Sequence, residues 1–196
     1  MQSFHPRNLL TYISVLAATW GVLEIYQGQS LPGLAGAALC AAIVADILDG
    51  KFAALFKGAS NLQKEIGGHL DSLADFLAFG FYPAYGLMVA ERSRLGNFEL
   101  LTVLVAIGYL FAVLHRLAFY NAASYGGGSF VGLPSPLGAL GVALAWIYFD
   151  GSMLLVVYFL MGLLMVSPLK ITRPGGWGLS FIVLLSLAVG ILHVFH

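Results

Sequence analysis

An all-α, polytopic membrane bundle of about six to seven transmembrane helices is the fold this sequence predicts, on three observations. First, the 196 residues are 60% hydrophobic and only 9% charged, with a mean hydropathy of +0.90. Soluble domains carry roughly 25% charged residues, so a chain this poor in charge cannot cover a globule in water, and its solvent must be lipid. Second, seven apolar runs meet or approach the roughly 20 residues that a helix needs to cross a hydrocarbon core of about 30 Å. Third, clusters of glycine, proline and polar residues separate these runs, as turns between helices require.

The first run, residues 9–26, follows a short polar lead, MQSFHPRN, and reads as a retained membrane helix because further spans follow. The breaks QGQSLPG and KGASNLQKE bound the second run, residues 34–56. The third, 68–89, ends at ERSRLGN, and the fourth, 100–120, ends at YGGGSFVGLPSP. Runs 137–149 and 153–166, separated by FDGS, are short for a span. They either tilt, extend into their flanking turns, or line protein instead of lipid. After SPLKITRPGG comes the last run, 178–195. No repeat or composition shift divides the chain, so residues 1–196 are expected to form one membrane domain.

Lysine and arginine bias sets the orientation. A cytoplasmic N-terminus puts Arg7, Lys57, Lys64, Lys170 and Arg173 on that side, with Lys51 and Arg116 near the same helix ends, while Arg92 and Arg94 fall outside. The net charge is +0, which offers no basic surface for nucleic acid, and the single cysteine, Cys40, excludes a disulfide within the chain. Trp20, Trp146 and Trp177 fit interfacial aromatic belts.

Four carboxylates stand out against this background. Asp46 and Asp49 are three residues apart near the end of the second span, and Asp71 and Asp75 four apart near the start of the third. Each spacing puts both carboxylates on one helix face, and an antiparallel hairpin brings the two pairs to the same end. Ionisable groups inside a membrane segment are costly and are rarely retained without a partner or a function. Four converging carboxylates demand a cation. Their hard oxygens suit Mg²⁺, Mn²⁺ or Ca²⁺, at a cytoplasmic boundary where small neighbours such as Gly50, Ala53, Gly67 and Gly68 let a nucleotide approach helix backbone. The competing reading is a divalent-cation path without chemistry, but a transporter places polar groups near the bilayer midplane, and these acids cluster toward one face.

The segment running from Asp46, Asp49, Gly50 and Ala53 to Gly67, Asp71 and Asp75 resembles the signature D-x2-D-G-x2-A-R followed by G-x3-D-x3-D of the CDP-alcohol phosphotransferase family. LDSLADFLAFGFYPA, RLAFYN with FVGLPSP, LMVSPLK and PRNLLT resemble further stretches of the branch that makes phosphatidylserine, so the likeness spans most of the chain. Ala54 and Phe119 depart from the pattern, each standing where that branch has arginine.

The resemblance implies an integral membrane transferase that moves a phosphatidyl group from CDP-diacylglycerol to L-serine, with inositol phosphate, glycerol phosphate or choline as alternative acceptors. It implies Asp46, Asp49 and Asp71 as ligands of Mg²⁺ or Mn²⁺, and Asp75 as a ligand, the general base, or both. Asn8, Thr11, Gly50, Ala53 and Gly67 would border the nucleotide, and Arg116, Asn121 and Lys170 the acceptor or a phosphate. A homodimer in contact with membrane lipids is the implied assembly.

Overall fold

A computed structural model of the chain describes residues 5–28, 30–91, 99–122, 129–172 and 174–196. Arg92, Arg94 and Arg173 lie outside the described residues. The architecture is an all-helical membrane bundle, and five of its helical runs are long and apolar enough to cross a bilayer.

A short 3₁₀ turn, Pro6–Asn8, leads into α1 (Leu9–Tyr26). Pro32 and Gly33 then break the helical path, with Gly33 at φ 108, before α2 (Gly36–Ala53) returns antiparallel to α1. Ser14 on α1 donates to the Ala42 carbonyl of α2 at 3.3 Å, tying the two together. The polar start of α3 (Asn61–Asp75) is a capping box. Ser60 Oγ accepts from the Gln63 N–H at 3.2 Å, and the Gln63 side chain accepts from the Ser60 N–H at 2.8 Å. This is why helix begins at Asn61, seven residues before the apolar run does: two orphan donors are satisfied by polar side chains, independently of lipid.

α3 continues through a wide π-type turn, Phe76–Phe81, into α4 (Tyr82–Glu91). Pro83 has no N–H to return to the Phe79 carbonyl four residues back, and Tyr109 supplies the missing donor at 2.9 Å. Tyr82 donates to the Ala35 carbonyl, and Tyr158 to that of Pro83 at 2.7 Å. Three buried phenols thus stitch this bent span to its neighbours.

α5 (Glu99–Ala122) follows, then α6 (Ser135–Tyr148), α7 (Gly151–Val166) and α8 (Gly176–Val194). At 14 and 16 residues, α6 and α7 are about 21 and 24 Å long, less than the hydrocarbon thickness. For α6 the reason is plain. Ala139, Leu140, Val142 and Ala143 are buried, so it lines protein and its ends need not reach both interfaces. The outward faces of α1, α7 and α8 carry Leu16, Phe159, Leu163, Phe181 and Leu184, large apolar side chains left for lipid.

One feature departs from the purely helical expectation. A clasp of two three-residue strands, β1 (Ser129–Val131) and β2 (Lys170–Thr172), pairs antiparallel with Phe130 opposite Ile171. It continues through Gly132 N–H to the Leu169 carbonyl at 2.8 Å and Leu133 N–H to the Leu164 carbonyl at 3.0 Å, anchoring the α5–α6 connection to the α7–α8 connection. Trp146 also differs from its expected place. It is buried, with its indole N–H donated to Tyr158 at 3.0 Å, because a partner inside the bundle satisfies the polar handle that would otherwise seek the interface. Trp20 and Trp177 are exposed.

Candidate active site

α2 delivers Asp46 and Asp49 on its last two turns, and α3 delivers Asp71 and Asp75 on its final turns. Asp46, Asp71 and Asp75 each offer one carboxylate oxygen, and these oxygens lie within 4.8 Å of one another, a grouping able to hold a metal ion. Asp46 and Asp75, one on each helix, thus face each other across the hairpin. Like charges gathered this closely in a half-buried site favour a shared proton or a bound cation. An all-oxygen donor set fits a hard divalent ion and offers zinc none of its preferred thiolate or imidazole ligands.

Asp49 stands slightly apart from the triplet, beside Thr11 and within electrostatic reach of Arg7. Its Oδ1 and the Thr11 Oγ1 are both buried without a well-formed hydrogen bond, as is the Nδ2 of the buried Asn8. Buried polar atoms are rarely left in this state, and such orphans mark a place where a ligand, ion or water completes the set.

Two cavities meet at these carboxylates. A polar groove of about 560 Å³ is lined by Arg7, Asn8, Asp49, Lys57, Lys64 and Asp71, among others. Its floor includes Gly50, Ala53, Ala54, Gly67 and Gly68. A Cβ on Gly50 or Gly68 would meet nothing within 4 Å, so their lack of a side chain leaves that volume open. Gly67 has the opposite reason: a Cβ there would lie 2.9 Å from Asn8 Oδ1, so its absence lets α3 close on the N-terminal turn.

The second cavity, about 370 Å³, is bounded by Asp46, Asp71, Asp75, Arg116, Tyr120 and Ser135 and closed by apolar residues of α8 such as Ile182. Arg116 is buried, donates its Nε–H to the Leu133 carbonyl at 3.1 Å, lies over the Tyr120 ring, and is within electrostatic reach of Asp75 and Asp46. Asp71 and Gly68 border both cavities.

Of the residues singled out in the sequence, Asn8, Gly50, Ala53, Gly67 and Asp49 line the groove, while Arg116 and Asn121 line the second cavity. Thr11 sits behind Asp49. Asn121 is also committed: its Nδ2 donates to Ser72 Oγ at 2.9 Å, locking α5 against α3 one residue from Asp71. Lys170 is exposed on β2 and lines neither cavity, although its neighbour Ile171 lines the second. Phe119 is 48% exposed on the outer side of α5, and Ala54 faces the groove. Ser72, Tyr120 and Ser135 gave no spacing signal, since a lone hydroxyl in a membrane helix is as compatible with a local backbone bond as with a site.

A helical membrane protein with a carboxylate triplet shared between two cavities presents a candidate metal site open to two ligands. Residues 4–172 match the CDP-alcohol phosphatidyltransferase family, and the chain belongs to that family. It is 34% identical over 140 residues to the CDP-diacylglycerol–serine O-phosphatidyltransferase of Mycobacterium tuberculosis strain H37Rv, a match covering 68% of this chain and 46% of that protein. The chain thus spans about half the length of its mycobacterial relatives. It is also 29% identical over 199 residues to the enzyme of the same name from Methanocaldococcus jannaschii, covering 98% of this chain and 89% of that one. The archaetidylserine synthase of Methanothermobacter thermautotrophicus is 28% identical over 173 residues, with 86% and 71% covered.

Proposed function

We propose that the chain transfers the phosphatidyl group of CDP-diacylglycerol to the hydroxyl of L-serine, releasing CMP and forming phosphatidylserine. The observation that carries this reading is that Asp71 belongs at once to a cation-lined polar groove and to a separate, partly apolar cavity. Two substrates can therefore approach one carboxylate set from different sides. The family membership and the serine-using relatives support the choice of donor and acceptor.

In this reading Arg7, Lys57 and Lys64 attract the diphosphate, and Asn8, Thr11, Gly50, Ala53 and Gly67 shape the nucleotide's bed. Asp46, Asp71 and Asp75, with Asp49 beside them, hold Mg²⁺ or Mn²⁺, Ca²⁺ being a third oxygen-seeking candidate. Such an ion, when bound, neutralises charge on the two phosphates and on the transition state. Asp75, one helical turn beyond Asp71 on α3 and lining the second cavity, accepts the serine hydroxyl proton as the oxygen attacks the lipid-side phosphorus. The bond from that phosphorus to the bridging oxygen breaks, and CMP departs with the electron pair. Arg116, with Asn121 beside it in the same cavity, orients the acceptor or a phosphate, and Lys170, exposed outside both cavities, is left to meet lipid headgroups.

Asp49 and Asp71 share their groove with Arg7, Lys57 and Lys64, and the positive-inside rule supports a cytoplasmic face for it. Residues 1–196 act as one catalytic domain within surrounding lipid, and the resemblance adds a homodimer. Cross-linking in native membranes is expected to trap that dimer.

The deciding measurement is CMP release by purified protein given CDP-diacylglycerol, Mn²⁺ or Mg²⁺, and a panel of serine, inositol phosphate, glycerol phosphate and choline. Serine is expected to accelerate release most. No acceleration by any alcohol would sink the transferase reading, whereas success with another alcohol would overturn only the acceptor. Mn²⁺ uptake into liposomes without CMP release would favour a transport path instead.

Gly67→Ala tests the groove separately. Its Cβ forces the Asn8 side chain to move, and losing one hydrogen-bonding contact of about 1–1.5 kcal/mol should raise KM for CDP-diacylglycerol roughly tenfold. An unchanged KM would remove Gly67 and Asn8 from the binding surface.

A further inference from the structure

We propose that Ser135 is the residue that reads the carboxylate of the acceptor, and so selects an amino acid over a simple amino alcohol. The inference rests on the serine reading above and adds a specificity determinant to it. Ser135 is 1% exposed, borders the cavity shared with Asp46, Asp71, Asp75 and Arg116, and has a buried Oγ without a hydrogen-bond partner. A serine on a membrane helix normally returns its hydroxyl to a carbonyl on the preceding turn, as Ser186 does to Ile182 at 2.8 Å. Ser135 stands at the first position of α6, where no preceding turn exists. Its hydroxyl therefore has only the cavity to bond.

The flanking chain strengthens the case. Pro134 and Pro136 have no N–H, so within this tripeptide Ser135 carries every donor, side chain and backbone alike. The start of a 14-residue helix adds the positive end of its dipole, which favours an anion over a neutral or cationic group. Arg116 supplies full positive charge to the same cavity, and its bond to the Leu133 carbonyl fixes it two residues from Ser135. The carboxylate triplet on the opposing helices repels an anion and suits an ammonium group and a hydroxyl. An acceptor with a carboxylate at one end and an amine and hydroxyl at the other matches this polarity. Ethanolamine, which has the hydroxyl and amine alone, leaves Ser135 without a partner.

The test compares wild-type protein, Ser135→Ala and Ser135→Thr with L-serine and with ethanolamine, following CMP release from CDP-diacylglycerol. Loss of a charge-assisted hydrogen bond is expected to raise KM for serine about tenfold in Ser135→Ala, with KM for CDP-diacylglycerol unmoved. The preference for serine over ethanolamine should narrow by a similar factor, and Ser135→Thr, which keeps the hydroxyl, should recover most of it. A loss of stability alone would lower both activities together and leave that ratio intact. As a readout without turnover, serine with CMP should raise the melting temperature of wild type and Ser135→Thr but not of Ser135→Ala. If wild type responds to serine and the ratio is unchanged in Ser135→Ala, this inference is overturned and the serine reading stands. If wild type does not use serine at all, both fall.

Discussion

Asp71→Asn is expected to lower CMP release by on the order of 10²- to 10³-fold, the consequence of removing several kcal/mol of transition-state charge stabilisation. Asp71 is the sharpest choice among the four aspartates because it borders both cavities and belongs to the carboxylate triplet. The substitution also separates a functional loss from a structural one. Asparagine keeps the shape and removes one of several mutually repelling charges, so without metal the variant should be at least as stable as wild type. Adding Mn²⁺ should raise the melting temperature of wild type in proportion to its binding free energy, and Asp71→Asn should lose most of that rise. The measurements are thermal unfolding in detergent with chelator or with Mn²⁺, alongside turnover. Near-normal turnover would exclude Asp71 from the site.

Gly132→Ala should cost more stability than a methyl at any other described glycine with a positive φ. Gly132 has φ +74, and a Cβ there would lie 2.1 Å from the carbonyl oxygen of Met165, a backbone atom that cannot swing aside. The left-handed conformation costs an L-residue about 1–2 kcal/mol and forced overpacking about 1–3, together about 2–5 kcal/mol. That is a large part of a typical total of about 5–15 kcal/mol. Because Gly132 bonds to Leu169 and precedes Leu133, whose carbonyl holds Arg116, the damage should reach the second cavity. Gly108→Ala is the control: a Cβ there meets nothing within 4 Å, and a helical alanine is intrinsically preferred by about 1 kcal/mol. Equal melting temperatures for the two variants would refute the proposed role of the clasp.

The bundle was legible because lipid imposes a length and a composition on each helix: every apolar run coincides with a helix, although the runs ending at 56, 149 and 195 overshoot their helices by one to three residues. The start of α3 was not, since Ser60 and Gln63 extend it by polar capping, which leaves no hydropathy trace. The meeting of Asp46, Asp71 and Asp75 follows from helical spacing on a hairpin, a local rule that acts across few residues. Trp146 and Ser135 were opaque for a different reason. Their surroundings come from Tyr158 and Arg116 respectively, partners distant in sequence, and no window of sequence shows that a tryptophan will find a phenol or that a serine will find none. Lys170 looked like a site cation because it is basic and near a helix end, yet pairing of β2 with β1 leaves it exposed outside both cavities.

The division of labour between the two cavities has a consequence for how this family can change. The polar groove is built from residues between Arg7 and Asp71, whereas the second cavity adds side chains from α5, α6 and α8 to the shared aspartates. In the proposed reading, the residues that shape the nucleotide's bed and most of those that face the acceptor therefore lie in different halves of the chain. A chimera joining residues 1–91 of this chain to the remainder of a relative with a different acceptor should inherit its nucleotide from the first parent and its alcohol from the second.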